Sequence, residues 1–167
     1  MGVFTSAIKL QKYNLSHQQI LDQTSYVMEY MSRTIRMAQK ESSPPTCLTN
    51  PPNPHLNYAK DLDAIVNING VDTEMDLLFK DSSGTCRGFF RENGQIKEYE
   101  RGRTPEVLEL TSNDLDVISL TFDLQGASDI DQLQPRVTIF MEVLGKVTGD
   151  QPRLKIQTTI SQRNLDM

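Results

Sequence analysis

The side chains that most often carry nucleophilic and acid–base chemistry are sparse in this sequence of 167 residues. Only two histidines occur, His17 in a stretch with helical periodicity and His55 in a proline-rich stretch. Nucleophilic catalysis needs a nucleophile, a base and an orienting group brought together. No glycine-flanked serine accompanies either histidine, and the motif GxSxG is absent. We therefore interpret both histidines as solvated polar residues and expect no catalytic triad.

Carboxylates are plentiful from residue 61 onward, and a pair of the glycosidase kind is one interpretation of them. The alternative, which we favour, is that they mark strand ends and solvated faces. The residues concerned are Asp61, Asp63, Asp72, Glu74, Asp76, Asp114, Asp116, Asp123, Asp129 and Asp131.

Cofactor and metal motifs are also missing. Residues 127–131 and 81–84 offer oxygen ligands, but neither segment follows the EF-hand pattern. The sequence contains no phosphate-binding loop, no dinucleotide fingerprint and no CxxC motif. We expect no cofactor, no metal site and no enzymatic activity.

The charge balance bears on possible partners. The formal net charge is −5, and the lysines and arginines form no cluster. Because nucleic-acid affinity depends on neutralising phosphates, an acidic chain of this kind is a poor nucleic-acid binder. No apolar run approaches the ~20 residues that span a bilayer, and no signal-peptide pattern is visible.

Residues 3–40 predict one long amphipathic helix. No proline or glycine interrupts this stretch, and at ~1.5 Å per residue it would extend roughly 55 Å. That length exceeds a small domain, so we expect its C-terminal half to pack on the rest of the chain and its N-terminal half to project. The apolar residues that share one helical face, by steps of three and four, are Tyr13, Ile20, Val27, Met28, Met31, Ile35 and Ala38.

The chain divides into a helical stalk at residues 1–41, a connector at 42–57 with five of the eight prolines, and a strand-rich head at 58–167. Alternation in the head predicts strands at residues 62–69, 74–80, 85–91, 95–100, 107–110, 115–124, 136–146 and 154–161. In the strand at 115–124, alternation places Ile118 on the same face as Leu120, Phe122 and Leu124. Short turns such as Asn93-Gly94 favour antiparallel pairing. The predicted fold class is α+β, a long N-terminal α-helix packed on an antiparallel β-sheet head.

The two cysteines, Cys47 in the connector and Cys86 in a predicted strand, match no metal-ligand spacing. If the chain is exported to an oxidising compartment, a disulfide between them would tie the connector to the head. Two independent free thiols are the alternative.

Three stretches carry a resemblance to a known family. They are HQQILDQTSYVMEYMSRTIRMAQKES at the end of the helix, LTSNDLDVISLTF in the middle, and QPRVTIFMEVLGK followed by KIQTTISQRNLD near the C-terminus. With these stretches the chain resembles type IV pilin-like proteins, specifically a minor pilin or pseudopilin near the tip of the assembly. The family's processing signature, a glycine before the cut with an aromatic residue and then a glutamate after it, is not present. No processing residue can therefore be transferred.

The resemblance implies a structural role in a type IV pilus or a type II secretion-like filament, serving pilus assembly, DNA uptake or protein secretion without catalysis. The chain would correspond to the soluble part of such a subunit. Its partners would be other pilins or pseudopilins, and the inner membrane through an apolar N-terminal half of the helix. The head would lie outside the cytoplasm, first at the membrane and then in a cell-surface or periplasmic filament. Residues 101–105 and 125–134 would be candidate contact loops. The alternative function is a stalked, adhesin-like binding module, which would present a concave pocket on its head.

Overall fold

The N-terminal helix spans much of the molecule. The computed structural model describes residues 2–41, 43–48, 56–128, 132–146 and 151–163, and in it the helix α1 runs over Gly2–Arg36. The helix ends four residues earlier than residues 3–40 predict. The physical reason is a tertiary hydrogen bond: the N–H of Gln39 donates to the carbonyl of Lys80 at 2.8 Å, as a β-bridge, and the chain there has left helical geometry.

Within the described residues after α1, the regular structure consists of strands and one short 3-10 helix (Asp61–Asp63). The strands are β1 (Tyr58–Ala59), β2 (Ile65–Ile68), β3 (Val71–Glu74), β4 (Leu77–Lys80), β5 (Cys86–Glu92), β6 (Gln95–Glu100), β7 (Val107–Glu109), β8 (Leu115–Gln125), β9 (Arg136–Gly145) and β10 (Arg153–Ser161).

The strands form three antiparallel sheets. The order is β1-β4-β5-β6-β7 in a five-stranded sheet and β10-β9-β8 in a three-stranded sheet, while β2 and β3 form a separate hairpin. The turn between β5 and β6 has positive φ at Asn93 (54°) and Gly94 (74°), as a two-residue hairpin turn of this type requires. One helix packed against antiparallel sheets confirms the predicted α+β class.

The strand predicted at residues 74–80 is wrong in one respect. Its first residue belongs to the β2–β3 hairpin, whereas residues 77–80 belong to the five-stranded sheet. β3 ends at Glu74 and β4 begins at Leu77. Between them the N–H of Met75 donates to the carbonyl of Ala64 at 2.9 Å and closes the β2–β3 hairpin. The strand predicted at residues 62–69 is likewise shorter, because its first two residues belong to the 3-10 helix.

A second correction concerns the inward face of β8. A β-bulge lies between Val117 and Ser119, so Ile118 has no paired residue on β9. The extra residue shifts the alternation, which buries Val117 and leaves Ile118 36% exposed, while Leu120 and Phe122 keep their inward positions. The prediction that Ile118 shares the buried face is therefore wrong.

The five-stranded sheet lies between two apolar layers. On one face, residues such as Phe79, Phe89 and Ile96 pack against α1 and the three-stranded sheet in the main core. On the other face, residues such as Phe90 and Tyr99 pack against the β2–β3 hairpin and the connector. The hairpin therefore sits on the side of the sheet away from the helix.

The connector is fastened to the head by the Cys47–Cys86 disulfide, which confirms that predicted pairing. Glu41, just after the helix, accepts N–H hydrogen bonds from Cys47 and Leu48 at 2.7 Å each through one carboxylate oxygen. The Nζ of Lys80 lies 3.6 Å from its other oxygen. A buried carboxylate is costly unless it is hydrogen-bonded and paired, and these contacts satisfy Glu41.

Candidate assembly surface

The C-terminal half of α1 is built into the head. Of the helix face predicted from the sequence, the residues from Ile20 onward are buried in the main core, each no more than 5% exposed. Tyr13, by contrast, is 42% exposed. The members that lie in the core are Ile20, Val27, Met28, Met31, Ile35 and Ala38.

The N-terminal half of the helix projects from the head. Every residue from Phe4 to Leu15 is exposed, and Ser16 is the first buried position along the chain. At ~1.5 Å per residue, the twelve residues 4–15 extend roughly 18 Å beyond Ser16. We call residues 4–15 the stalk segment. Its exposed large apolar side chains are Phe4 (75%), Ile8 (39%), Leu10 (65%), Tyr13 (42%) and Leu15 (56%).

Single exposed apolar residues are ordinary on a protein surface, but five within twelve consecutive helical residues are a high local density. Phe4, Ile8 and Leu15 share one face of the helix, whereas Leu10 and Tyr13 continue the face that is buried from Ile20 onward. Among the described residues, no helix is both long enough and apolar enough to cross a membrane.

A polar junction fixes the angle at which the helix leaves the head. The hydroxyl of Tyr30 on α1 donates to Glu98 of β6 at 2.8 Å, and the Glu98 side chain is 0% exposed. Arg87 lies 3.3 Å from the same carboxylate, and Arg103 donates to its other oxygen at 2.8 Å. Both arginines also contact Glu100, at 3.3 and 3.0 Å. Since both oxygens of Glu98 are engaged, we interpret the junction as structural.

Sequence reasoning missed this junction, although the β5–β6 hairpin contains a signal for it. With a two-residue turn at Asn93-Gly94, β5 and β6 align so that Arg87 faces Glu100 and Phe89 faces Glu98. Two carboxylates and an arginine therefore share the face that meets the helix. Arg103, in the loop after β6, cannot be placed by this pairing because its position depends on the path of the loop.

The junction makes a prediction for alkaline pH. Burial raises the pKa of Tyr30 to about 12, and the hydrogen bond to Glu98 and the charge of Glu98 add to the effect. The folded-state pKa is above the unfolded value of about 10. The contribution to stability is therefore complete below about pH 10 and is lost as the pH rises towards 12. We expect Tyr30→Phe to remove this part of the alkaline loss in urea unfolding measured at several pH values.

The control is Tyr26→Phe, because Tyr26 lies on the same helix but is 66% exposed. This variant should keep the wild-type decline in stability above about pH 10. An unchanged decline in the Tyr30→Phe variant would contradict the proposed role of the hydroxyl.

The C-terminal end of α1 is held by donors from distant parts of the chain. Its last carbonyls have no partners within the helix. The hydroxyl of Tyr58 donates to the carbonyl of Ile35 at 3.0 Å. The N–H of Arg163 donates to the carbonyl of Arg36 at 3.0 Å. The side-chain amide of Gln162 donates to the carbonyl of Ala38 at 2.7 Å. Gln162 and Arg163, which directly follow β10, thus fasten the end of the helix to the three-stranded sheet.

The two predicted contact loops differ in what they expose. In residues 101–105, Arg101 and Pro105 are exposed, whereas Arg103 turns inward to Glu98. In residues 125–134, positions 129–131 lie outside the described residues, and Gln132, Leu133 and Gln134 are exposed. Nothing in the described geometry assigns a partner to either loop.

The residues considered for chemistry are dispersed. His17 lies half-buried on α1, and His55, Asp129 and Asp131 lie outside the described residues. Across the described ranges, no three His, Cys, Asp or Glu side chains are placed to hold a metal ion. At the 81–84 turn, burial alone would raise the pKa of Asp81, but hydrogen bonds from Ser83 and Thr85 and the charge of Arg87 lower it. Its carboxylate is thus already occupied by protein donors.

Two shallow hollows lie on the described part of the head. One of about 370 Å³ lies between α1 and the segment after β7, at Gln23, Tyr26 and Leu110. Another of about 360 Å³ lies on the outer face of the three-stranded sheet around Phe140, which is 41% exposed.

Comparisons of the chain with models of protein families, with curated proteins and with solved structures each found no match.

Proposed function

We propose that this chain is a structural subunit of a filament, of the minor pilin or pseudopilin kind, that acts by assembly rather than by catalysis. The observation that carries the proposal is the division of α1. Its C-terminal half is part of the core, whereas the stalk segment exposes five large apolar side chains. A helix anchored at one end and apolar at the other suits packing against neighbouring subunits.

Two further features support this function. The polar junction at Glu98 and the donors to the last carbonyls of α1 attach the helix to the head at two places along its length. Attachment at two places suits a subunit whose stalk must meet its neighbours in a fixed geometry. The disulfide suits an exported protein, because disulfides persist mainly in oxidising compartments. In this proposal, an apolar segment preceding the stalk anchors the subunit in the inner membrane, and the head lies outside the cytoplasm.

The test is a pair of substitutions on the stalk segment, Ile8→Asp with Leu15→Asp, made in the protein expressed in its native host. Both side chains are exposed, so the head should fold normally. We expect sheared and sedimented filaments to lose this subunit. The control is Leu108→Asp on β7, which is 47% exposed and lies away from the stalk. Normal incorporation of the Ile8→Asp, Leu15→Asp variant into filaments would refute the proposal.

An adhesin-like binding module is the second candidate, and one observation favours it. Phe140 is exposed on a polar sheet face beside Thr121 and Gln157, its neighbours on the flanking strands. Exposed aromatic residues of this kind often act as binding anchors. If Phe140→Ala abolishes attachment of cells to surfaces while filaments remain intact, the binding module is the better description.

A further inference from the structure

The chain separates its charges between two distant regions. The first 21 residues carry Lys9 and Lys12 and no carboxylate, so 15 of the 17 basic and all 22 acidic residues follow them. The rest of the chain therefore has a formal charge of −7, against −5 for the whole. The stalk segment is the basic part of an otherwise acidic protein.

The acidic counterpart is concentrated around the β2–β3 hairpin. We call five exposed residues there the hairpin patch, and they are Asp61, Leu62, Asp63, Asp72 and Glu74. The short helix Asp61–Asp63 comes just before β2, and Glu74 of β3 pairs with Ile65 at the start of β2. Asp72 lies two residues from Glu74 on the same face of the hairpin. Lys60 borders the patch, with its Nζ 3.8 Å from Asp61.

Crowding of negative charge at this place has a local consequence. Burial raises the pKa of Asp76, which follows β3, and the charges of Asp61 and Glu74 raise it further against the opposing effect of Arg91. The hairpin patch also exposes one large apolar side chain, that of Leu62 (74%). It thus combines negative charge with apolar surface.

The stalk segment has the complementary combination on one side of the helix. Ile8, Lys12 and Leu15 are spaced by four and three residues, which places them on one face, and Lys9 lies beside them. Ile8 and Leu15 are 39% and 56% exposed. A cation between two apolar side chains matches the carboxylates beside Leu62.

We propose that the stalk segment of one copy docks on the hairpin patch of a second copy. The occupant is a second copy because the hairpin packs on the face of the five-stranded sheet opposite α1. A continuous helix fixed by its C-terminal half cannot bring its own stalk there. The inference rests on the proposed assembly function and adds which surfaces meet.

The contact is heterologous, since different surfaces of the two copies meet. A heterologous contact that does not close into a ring generates an open chain of subunits. Each copy would present one stalk and one hairpin patch, so a row of copies could extend at both ends. Charge complementarity would set the partner and the orientation, while the apolar side chains add buried area.

Charge exchange tests the proposal. The stalk variant is Lys9→Glu with Lys12→Glu, and the patch variant is Asp63→Lys with Glu74→Lys, all at exposed positions. We expect either variant alone to associate roughly tenfold more weakly than wild type in sedimentation velocity. An equimolar mixture of the two variants should regain association, because each acidic stalk then meets a lysine-bearing patch. The chain that carries all four substitutions should regain it too.

The matched control is Arg136→Glu with Lys146→Glu, two exposed residues at the start of β9 and just after its end, which give the same change in net charge as the stalk variant. It should associate as wild type does. Weakened association without recovery in the mixture would overturn the docking site, as would a wild-type chain that stays monomeric. If the Lys9→Glu, Lys12→Glu variant still enters filaments in the host, the docking site is wrong but the assembly function stands.

A lipid surface is the other occupant that a basic, apolar helix could meet. Vesicles of zwitterionic lipid with and without anionic phosphatidylglycerol distinguish it. If the stalk variant loses binding to anionic vesicles while the patch variant associates as wild type, the stalk contacts lipid and the proposal is wrong.

Discussion

We expect the Glu98→Ala variant to unfold with a free energy about 3 to 5 kcal/mol below that of the wild-type protein. The Glu98 side chain is 0% exposed and contacts Tyr30, Arg87 and Arg103. Its loss leaves two partly buried guanidinium groups and a hydroxyl without their carboxylate. An ion pair broken from one side costs much more than the pair itself contributes, because the remaining charge stays buried.

The control for this prediction is Glu100→Ala. Glu100 contacts the same two arginines but is 23% exposed, and within the described residues its side chain makes no hydrogen bond to the helix. We expect this variant to lose about 1 kcal/mol or less, in keeping with partly solvated ion pairs. Urea unfolding of both variants gives the comparison. Equal losses would mean that Glu98 is not the centre of the junction.

The second large effect is expected from the disulfide. Cys47 and Cys86 are 39 residues apart, and the loop that their bond closes restricts the unfolded chain. By the loop-entropy relation, the bond stabilises the fold by about 4 kcal/mol. We expect the double variant Cys47→Ala, Cys86→Ala to lose about this amount in chemical denaturation. Its circular dichroism in the absence of denaturant should still report helix and strands, because the main core lies on the other face of the sheet.

Reduction of the wild-type protein supplies the matched measurement. Both cysteines are nearly inaccessible, at 3% and 2% exposure, so a thiol reductant should act mainly on unfolded molecules. Denaturation in the presence of reductant should therefore shift the wild-type midpoint towards that of the double variant. The double variant itself should not respond to reductant. A wild-type midpoint that reductant leaves unchanged would contradict the stabilising role of the bond.

Much of the fold was accessible from local patterns. The spacing of the apolar residues from Ile20 to Ala38 predicts the buried face of the helix. The alternation along β9 likewise predicts its inward face, whose four residues are buried: Val137, Ile139, Met141 and Val143. These patterns arise because burial repeats with the geometry of the helix and the strand. The Asn93-Gly94 dipeptide likewise located the turn between β5 and β6 because its two residues tolerate positive φ.

Other features depend on tertiary contacts that no local pattern reports. The end of α1 at Arg36 follows from the bond between Gln39 and Lys80, which lie far apart in the sequence. The alternation of apolar residues in β8 predicts a regular strand. The bulge at Ile118 cannot be recognised from it, because the extra residue is defined by the pairing of β8 with β9. Arg103 reaches Glu98 only because of the path of the loop after β6.

The candidate surface was partly predictable for a simple reason. The length of an uninterrupted helix can be counted, and the size of the head can be judged, so a projecting stalk followed from the sequence. The hairpin patch did not, because its carboxylates come from two segments that meet only when β2 pairs with β3. The carboxylates of the patch can be counted in the sequence, but only the fold shows that they lie close to one another.

The most direct measurement of the central claim is the N-terminus of the mature protein in its native host, read by mass spectrometry after separating membranes from cytosol. The assembly account predicts a membrane-associated protein whose N-terminus lies upstream of Val3. About 20 apolar residues should precede the stalk, after cleavage behind a glycine. A cytosolic protein that begins at Met1 would contradict the account, and the exposed stalk would then be explained as a dimerisation or partner-binding helix.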